Sequence, residues 1–186
     1  RVQSLITDWI GGVKVYDPRQ GQPLLQPEHL EHARQRLKPG DILLERHNWY
    51  LSNAFLPGYW PHAALYVGSP RELEALGLHR DPRVRKHWER FSKPDAQGHA
   101  HVIIEALGEG VLCASFRQSA GDCDALSAMR PRLPEERVRE AICRAFSHLG
   151  KPYDFEFDFF RTDRIVCTGV VFRAYDGDVN FPLVEV

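Results

Sequence analysis

The chain has 186 residues, 43% of them apolar, and a formal net charge of −1 when its nine histidines are counted as neutral. A chain of this length and composition has enough apolar material for one folded domain and is too short to expect a second. The near-zero charge excludes a global electrostatic attraction to nucleic acid, and no apolar run approaches the roughly 20 residues that a membrane-spanning helix needs.

Two helices are predicted in the first part of the chain. Apolar residues from Val2 to Ile10 recur at helical spacing, and a second helix is predicted over 27–37, with Pro27 at an early position. We expect residues 1–37 to pack on the outside of one main domain, residues 38–186, or the first helix to be a linker. The chain begins with Arg1 instead of Met, which is expected of a processed product or an excised domain. The sequence shows no signal peptide, and localisation stays open between cytoplasm and periplasm.

The middle of the chain is predicted to be rich in strands. The predicted strands cover residues 41–45, 60–68, 101–107, 110–116 and 125–130. Gly108-Glu109 indicates a hairpin between the third and the fourth strand. The charged segment 70–98 predicts helix and loop, and an apolar stripe predicts a helix over 134–149. Strands grouped between helices predict an α+β fold and not a doubly wound sheet.

Four cysteines compete for a chemical role, and their spacing fits neither a zinc site nor a disulfide scaffold. Cys167 lies at the predicted start of a helix, where unpaired backbone N–H groups and the helix dipole favour a thiolate. Cys143 lies in the middle of a helix, and Cys123 stands between two aspartates that disfavour a thiolate. Cys113 lies inside a predicted strand. We expect most to be free thiols, with a Cys113–Cys123 disulfide as the alternative in an oxidising compartment.

Two sequence motifs carry a family resemblance. Residues 150–155 read GKPYDF and residues 163–171 read DRIVCTGVV, which resembles the G-x-x-Y … D-C-S-G-L-V pattern of the NlpC/P60 branch of papain-like cysteine hydrolases. The histidine motif, GDILL at 40–44 and GYWPHAALYVG at 58–68, precedes the cysteine. This order resembles the circularly permuted YiiX/YebB-like hydrolases, with lecithin:retinol acyltransferases as more distant relatives, over roughly residues 38–176. The resemblance implies a papain-like fold whose central antiparallel sheet packs against the helix of the nucleophile, and it requires no cofactor.

The same resemblance, together with strand alternation, suggests the catalytic residues. His62 occupies the histidine position of the family frame and is the expected base. Alternation over 101–106 places Val102, Ile104 and Ala106 on one face and Glu105 on the other, so Glu105 is expected to orient His62, with His99 or His101 as competitors. Tyr153 matches the family tyrosine that helps to bind the oxyanion, and aromatic packing is its alternative role.

Several other residues are candidates for binding. The aromatic-rich stretch 49–60, which includes Tyr59 and Trp60, is expected to form groove walls, with core packing or a membrane-docking loop as alternatives. Asp41 is a third candidate for contact with substrate. The basic run over 80–93 is expected to be a solvated face, or else a surface for anionic lipid or an acidic partner. A zinc site at His99, His101, His62 and a nearby cysteine or glutamate matches no strong spacing, and no metal is expected.

These observations predict a cysteine hydrolase that cleaves a peptide or aminoacyl amide through a thioester acyl-enzyme. The first alternative is a lipid deacylase or acyltransferase, and the second is a noncatalytic binding module on the same fold. The expected partner is a small peptide or lipid-like substrate, with contact to a membrane surface as an option and no nucleic acid. The oligomeric state stays open.

Overall fold

The computed structural model describes residues 16, 18–48, 58–156, 158 and 161–181. The helix predicted over Val2–Ile10 and the aromatic residues at 49–57 lie outside them. Helix α1 (Pro27–Arg34) begins at the predicted proline and ends three residues before the predicted boundary at 37. Within the described part of the chain, no helix is long and apolar enough to cross a membrane.

Five strands form one antiparallel sheet in the described residues, which confirms the α+β prediction. They are β1 (Asp41–Arg46), β2 (His62–Tyr66), β3 (His101–Leu107), β4 (Gly110–Ser115) and β5 (Ala125–Met129). Their spatial order is β4-β3-β2-β1-β5, and every neighbouring pair is antiparallel. Strands β3 and β4 form the hairpin that Gly108-Glu109 indicates.

Within the ranges that the structure describes, six further helices connect or cover the strands. They are α2 (Pro70–Ala75), α3 (Pro82–Arg85), α4 (Trp88–Ser92), α5 (Phe116–Ala120), α6 (Glu135–Ser147) and α7 (Cys167–Ala174), with a 3-10 turn at Leu78–Arg80. The strand predicted to reach Phe116 ends at Ser115 instead. The Ser115 hydroxyl accepts a hydrogen bond from the backbone N–H of Gln118 and thereby caps helix α5.

The two faces of the sheet are covered by different elements. Ile42, Ala63 and Leu65 belong to the core that includes apolar residues of α6 and α7, whereas Leu43 and Ala64 pack with residues of α1 and α5. Helix α7 contacts both β2 and α6. Because side chains alternate along each strand, the single sheet contributes residues to one core on each of its two faces.

One residue of strand β3 departs from the expected alternation. Val102 is predicted on the same face as Ile104, but it packs with the Leu43 and Ala64 core. The pairing register of β3 with β4 shifts between His101 and Ile103. Because a bulge inserts one extra residue, it reverses the face of the residues on one side of it. Glu105 lies beyond the bulge, so its predicted orientation relative to Ile104 and Ala106 is retained.

The GKPYDF segment is fastened to the edge strand β4. The backbone N–H of Val111 donates to the Lys151 carbonyl at 2.8 Å, and the backbone N–H of Gly150 donates to the Val111 carbonyl at 2.9 Å. Gly110 permits this approach, because it has φ of +107° and a Cβ there would lie 2.5 Å from the Lys151 oxygen. The segment that follows therefore starts from a fixed position beside the sheet.

Candidate active site

Cys167 is the first residue of helix α7. Val166, the N-cap residue, has an extended backbone and supplies no side-chain cap. Cys167 is only 6% exposed, its sulfur lies 3.8 Å from the Pro61 carbonyl oxygen, and it interacts with the backbone N–H groups of Ala63 and Thr168. Since α7 begins beside the first residues of β2, the sulfur meets the start of that strand.

His62 opens strand β2 and connects the thiol to a carboxylate. Its Nε2 lies 2.7 Å from Glu105 Oε2, and the imidazole also forms a hydrogen bond with Cys167. Burial by itself opposes the charged ring, but the contacts with Cys167 and Glu105 raise the pKa of His62 well above its ordinary value. The arrangement is that of a nucleophile, a base and a group that orients the base.

The pKa of the Cys167 thiol is shifted in the opposite direction to that of His62. Burial alone raises the pKa of Cys167, yet the hydrogen bond and the charge of His62, together with two backbone N–H groups, lower the pKa below its ordinary value. A lowered thiol pKa beside a raised imidazole pKa favours a thiolate and imidazolium pair.

The other three cysteines provide an internal comparison. Burial raises the pKa of each to about 12, for Cys113, Cys123 and Cys143 alike. All four cysteines are free, so the alternative of a Cys113–Cys123 disulfide is not formed. Cys167 is thus the cysteine whose surroundings stabilise a thiolate.

Tyr153 lies next to the thiol. A parallel bridge pairs it with Ile165, two residues before Cys167, and the backbone N–H of Ile165 donates to the Pro152 carbonyl at 3.1 Å. Burial, the negative charge of Cys167 and a hydrogen bond with it raise the pKa of Tyr153. A phenol that keeps its proton remains a hydrogen-bond donor at this position.

The three candidate substrate contacts are placed differently. Tyr59 and Trp60 precede the His62 strand, their rings meet edge to face at 4.9 Å, and Tyr59 is 59% exposed. The Arg46 guanidinium lies 4.7 Å from the centre of the Tyr59 ring. Asp41 is not brought to this site, because the antiparallel register pairs it with Tyr66 at the opposite end of β1 and β2. Its buried carboxylate binds Arg130 instead.

His99 and His101 make other contacts. His101 Nδ1 lies 3.3 Å from the Phe91 carbonyl oxygen, and His99 Nδ1 lies 3.5 Å from Asp95. The zinc group considered from the sequence is therefore not assembled from these two residues and His62. Among the described residues, the side chains that could jointly hold a cation are Glu45, His62 and Glu105, whose ligand atoms lie within 4.8 Å of one another.

Sequence reasoning missed two side chains of this network. Glu45 is fully buried and lies directly across from His62 in the strand pairing. The Ser119 hydroxyl of α5 lies 3.0 Å from Glu45 Oε1 and 3.1 Å from Glu105 Oε2. The signal for Ser119 was present as Ser115-x-x-Gln118, a capping box that predicts a helix from 116. For Glu45, the signal was a carboxylate directly after the apolar residues Ile42, Leu43 and Leu44 of strand β1.

The sheet, the helix that begins at the buried cysteine and the histidine beside it define a papain-like thiol hydrolase. A family model described as permuted papain-like amidase enzymes, YaeF/YiiX, C92 family, matches residues 36–186, and the chain belongs to this family. No curated protein and no solved structure matches the chain.

Proposed function

We propose that the protein hydrolyses a peptide or aminoacyl amide bond, with Cys167 as nucleophile, His62 as general base and then acid, and Glu105 as the group that orients His62. The observation that carries the proposal is the continuous contact from Cys167 through His62 to Glu105, in which the thiol pKa is lowered and the imidazole pKa is raised. Membership of an amidase family supports the amide as the bond cleaved.

In the proposed reaction, His62 first accepts the proton of the Cys167 thiol, and the resulting thiolate attacks the carbonyl carbon of the amide and forms a tetrahedral oxyanion. The His62 imidazolium gives its proton to the leaving amine, the carbon–nitrogen bond breaks, and a thioester remains on Cys167. Water then attacks the thioester while His62 accepts a proton from it. Collapse of the second tetrahedral intermediate releases the carboxylic acid and regenerates the thiolate and imidazolium pair.

Two features near Cys167 are suited to stabilise the oxyanion. At the N-terminus of α7, Val166 provides no side-chain cap for the backbone N–H groups, and the Thr168 N–H already interacts with Cys167. The Tyr153 hydroxyl contacts the sulfur and keeps its proton because its pKa is raised. Donors fixed in advance around developing negative charge lower the barrier of acyl transfer.

A lipid deacylase or acyltransferase is the second candidate. The observation in its favour is Tyr59, an exposed aromatic side chain three residues before His62. An apolar acyl chain or an apolar amino-acid side chain could pack on such a ring, so the feature bears on the substrate and not on the reaction. A noncatalytic module is disfavoured because Cys167 contacts His62 and His62 contacts Glu105, so each proposed catalytic side chain has its partner.

Thiol labelling tests the mechanism and requires no substrate. Iodoacetamide at mildly acidic pH should alkylate Cys167 first, because its thiolate persists below the pH range of an ordinary thiol. The rate should fall as pH drops through the lowered pKa of Cys167. Cys113, Cys123 and Cys143 serve as controls in the same folded molecule, since their pKa values of about 12 keep them protonated.

The substrate class is then decided by turnover. Wild-type protein and Cys167→Ala are compared on a panel of aminoacyl and peptide amides and a panel of lipid acyl esters. Cleavage of amides by the wild type alone supports the proposal. Preferential alkylation of Cys113 or Cys123, or equal turnover by Cys167→Ala, contradicts it.

A further inference from the structure

Arg46 is the last residue of strand β1, and it has no part in the reaction described above. We propose that its guanidinium binds a carboxylate of the substrate, so that the preferred substrates are amides that carry a free carboxyl group close to the scissile bond. The proposal rests on the proposed function for the cleavage of an amide. It adds a specificity-determining residue to Cys167, His62 and Glu105.

The Arg46 side chain lies on the sheet face that helix α7 covers. Side chains alternate along a strand, so Arg46 shares its face with Ile42 and Leu44. Both of these pack in the core that includes apolar residues of α6 and α7. Glu45, the preceding residue, lies on the opposite face and contacts Ser119 of α5. The guanidinium is therefore on the side of the sheet from which the helix of the nucleophile approaches.

Arg46 and Cys167 contact the same short segment, residues 59–61, which leads into β2. The Arg46 Nη1 donates to the Tyr59 carbonyl at 2.6 Å. Two residues further on, the Pro61 carbonyl oxygen lies 3.8 Å from the Cys167 sulfur. Because two residues of extended chain span at most about 7 Å, a short peptide substrate can reach both the guanidinium and the sulfur.

The charge of Arg46 has no acidic partner in the described part of the chain. Its two hydrogen bonds go to neutral oxygens, and the neighbouring stretch 49–57 contains no Asp or Glu. By contrast, the partly buried Arg83 and Arg144 both bind Glu140. A partly buried cation without a counter-charge favours the binding of an anion.

The neighbouring acid Asp124 does not compensate this charge. Its backbone N–H donates to the Arg46 carbonyl at 2.7 Å, so the two residues are adjacent. Its carboxylate, however, accepts from the Arg19 guanidinium and from the backbone N–H groups of Leu24 and Asn48. A substrate carboxylate at Arg46 therefore does not have to displace Asp124.

The neutral contacts of Arg46 fix its guanidinium and leave donors unused. Nε donates to Asn48 Oδ1 at 2.8 Å, Nη1 donates to the Tyr59 carbonyl, and the guanidinium lies 4.7 Å from the centre of the Tyr59 ring. The ring attracts the cation but does not neutralise it. Nη2 carries further N–H donors and has no hydrogen-bond partner among the described residues. A fixed planar guanidinium with unused N–H groups is suited to bind a carboxylate.

Matched substrates test the proposal on the wild-type protein. Amides that differ only by Glu against Gln, at each position flanking the scissile bond, are compared by kcat/KM. We expect the acidic member to be preferred by about 10- to 100-fold at one position, the effect of a hydrogen bond to a charged group, and the preference to shrink at high salt. Equal values within every pair would overturn the proposal, and this comparison stands even where a variant folds poorly.

The variant Arg46→Gln separates substrate binding from a merely structural role. Glutamine keeps an amide donor for the Tyr59 carbonyl but has no charge, so the ratio of kcat/KM for the acidic to the neutral substrate should fall by about 10- to 100-fold. Arg46→Lys keeps the charge and should retain part of the preference. Arg34→Gln, which removes the same charge from an exposed ion pair on α1, is the control and should keep the wild-type ratio. A wild-type ratio in Arg46→Gln would show that Arg46 only supports the Tyr59 segment, and the proposal would fail.

Thiol alkylation distinguishes failure of this proposal from failure of the proposed function, because it needs no substrate. Iodoacetate and iodoacetamide react with the same Cys167 thiolate and differ in charge. The ratio of their rate constants, iodoacetate over iodoacetamide, should fall by about two- to fivefold in Arg46→Gln and stay unchanged in Arg34→Gln. Protein that shows this fall but cleaves no amide refutes amide hydrolysis and retains the anion site. Protein that cleaves amides without preference for the acidic member refutes the role of Arg46 and retains amide hydrolysis.

Discussion

The two ends of the β1 and β2 pair each contain a buried acid, and the two acids are bound in different ways. At one end, Asp41 lies opposite Tyr66, and its carboxylate accepts from Arg130 through two contacts of 2.7 Å and from the Lys38 backbone N–H at 2.8 Å. At the other end, Glu45 lies opposite His62, and its Oε2 has no hydrogen-bond partner among the described residues.

Burial does not distinguish the two ends, since Asp41 is 2% exposed and Glu45 is 0% exposed. The two acids differ instead in how fully their carboxyl oxygens are hydrogen-bonded. A buried carboxylate with a bidentate arginine stabilises the sheet, and its oxygens have little remaining capacity to accept hydrogen bonds from a ligand. A carboxyl group with spare capacity beside an imidazole and a second carboxylate is suited to handle protons.

The largest expected effect lies at the His62 end. His62→Ala removes both the proposed general base and the positive charge beside the Cys167 thiolate, so turnover should fall by about 10⁴-fold and labelling of Cys167 at mildly acidic pH should be lost. His32→Ala, an exposed histidine on α1, is the matched control and should keep wild-type turnover. Undiminished labelling in His62→Ala would mean that α7 alone lowers the thiol pKa.

A smaller effect is expected at Glu105. Glu105→Gln keeps a hydrogen-bond acceptor for His62 but removes the charge that stabilises the imidazolium, so turnover should fall by about 10²-fold, less than in Cys167→Ala or His62→Ala. The double variant with His62→Ala should cost little more than His62→Ala alone, because Glu105 acts through His62. Steady-state rates decide the point, and strictly multiplicative losses would assign Glu105 an independent role on the substrate.

The sequence was sufficient for those features that depend on local pattern. Gly108-Glu109 between two apolar runs predicted the β3 and β4 hairpin, alternation put Glu105 on the opposite face from Ile104, and the start of α7 followed from the cysteine motif. The bulge at Val102 was not predictable, since it depends on the pairing of two strands and not on the residues of one.

The register of β1 against β2 explains why the acids were misjudged. Asp41 and Glu45 are four residues apart and share one face of the same strand, so both qualify from alternation as neighbours of a histidine on β2. Only the observed pairing of Glu45 with His62 decides between them. Ser119 was missed for a related reason, because its contact with two glutamates depends on how α5 packs on the sheet.

The smallest effect on turnover is expected at the Asp41 end, where stability should change instead. Arg130→Ala removes both guanidinium contacts of the buried Asp41 carboxylate and leaves it the Lys38 backbone N–H as a donor, and an incompletely paired buried acid costs about 1–3 kcal/mol. Because the Arg130 side chain is 49% exposed, we expect the lower part of this range, measured as a loss in the free energy of unfolding by urea denaturation. Turnover should change by less than about twofold, since this end of the strands is remote in register from His62. Lys93→Ala, which removes an exposed ion pair with Glu89, is the control and should change neither quantity. A fall in turnover with an unchanged free energy of unfolding would instead support Asp41 as a substrate contact. Both buried acids would then serve the reaction, and the two ends of the strands would differ only in the group that each acid binds.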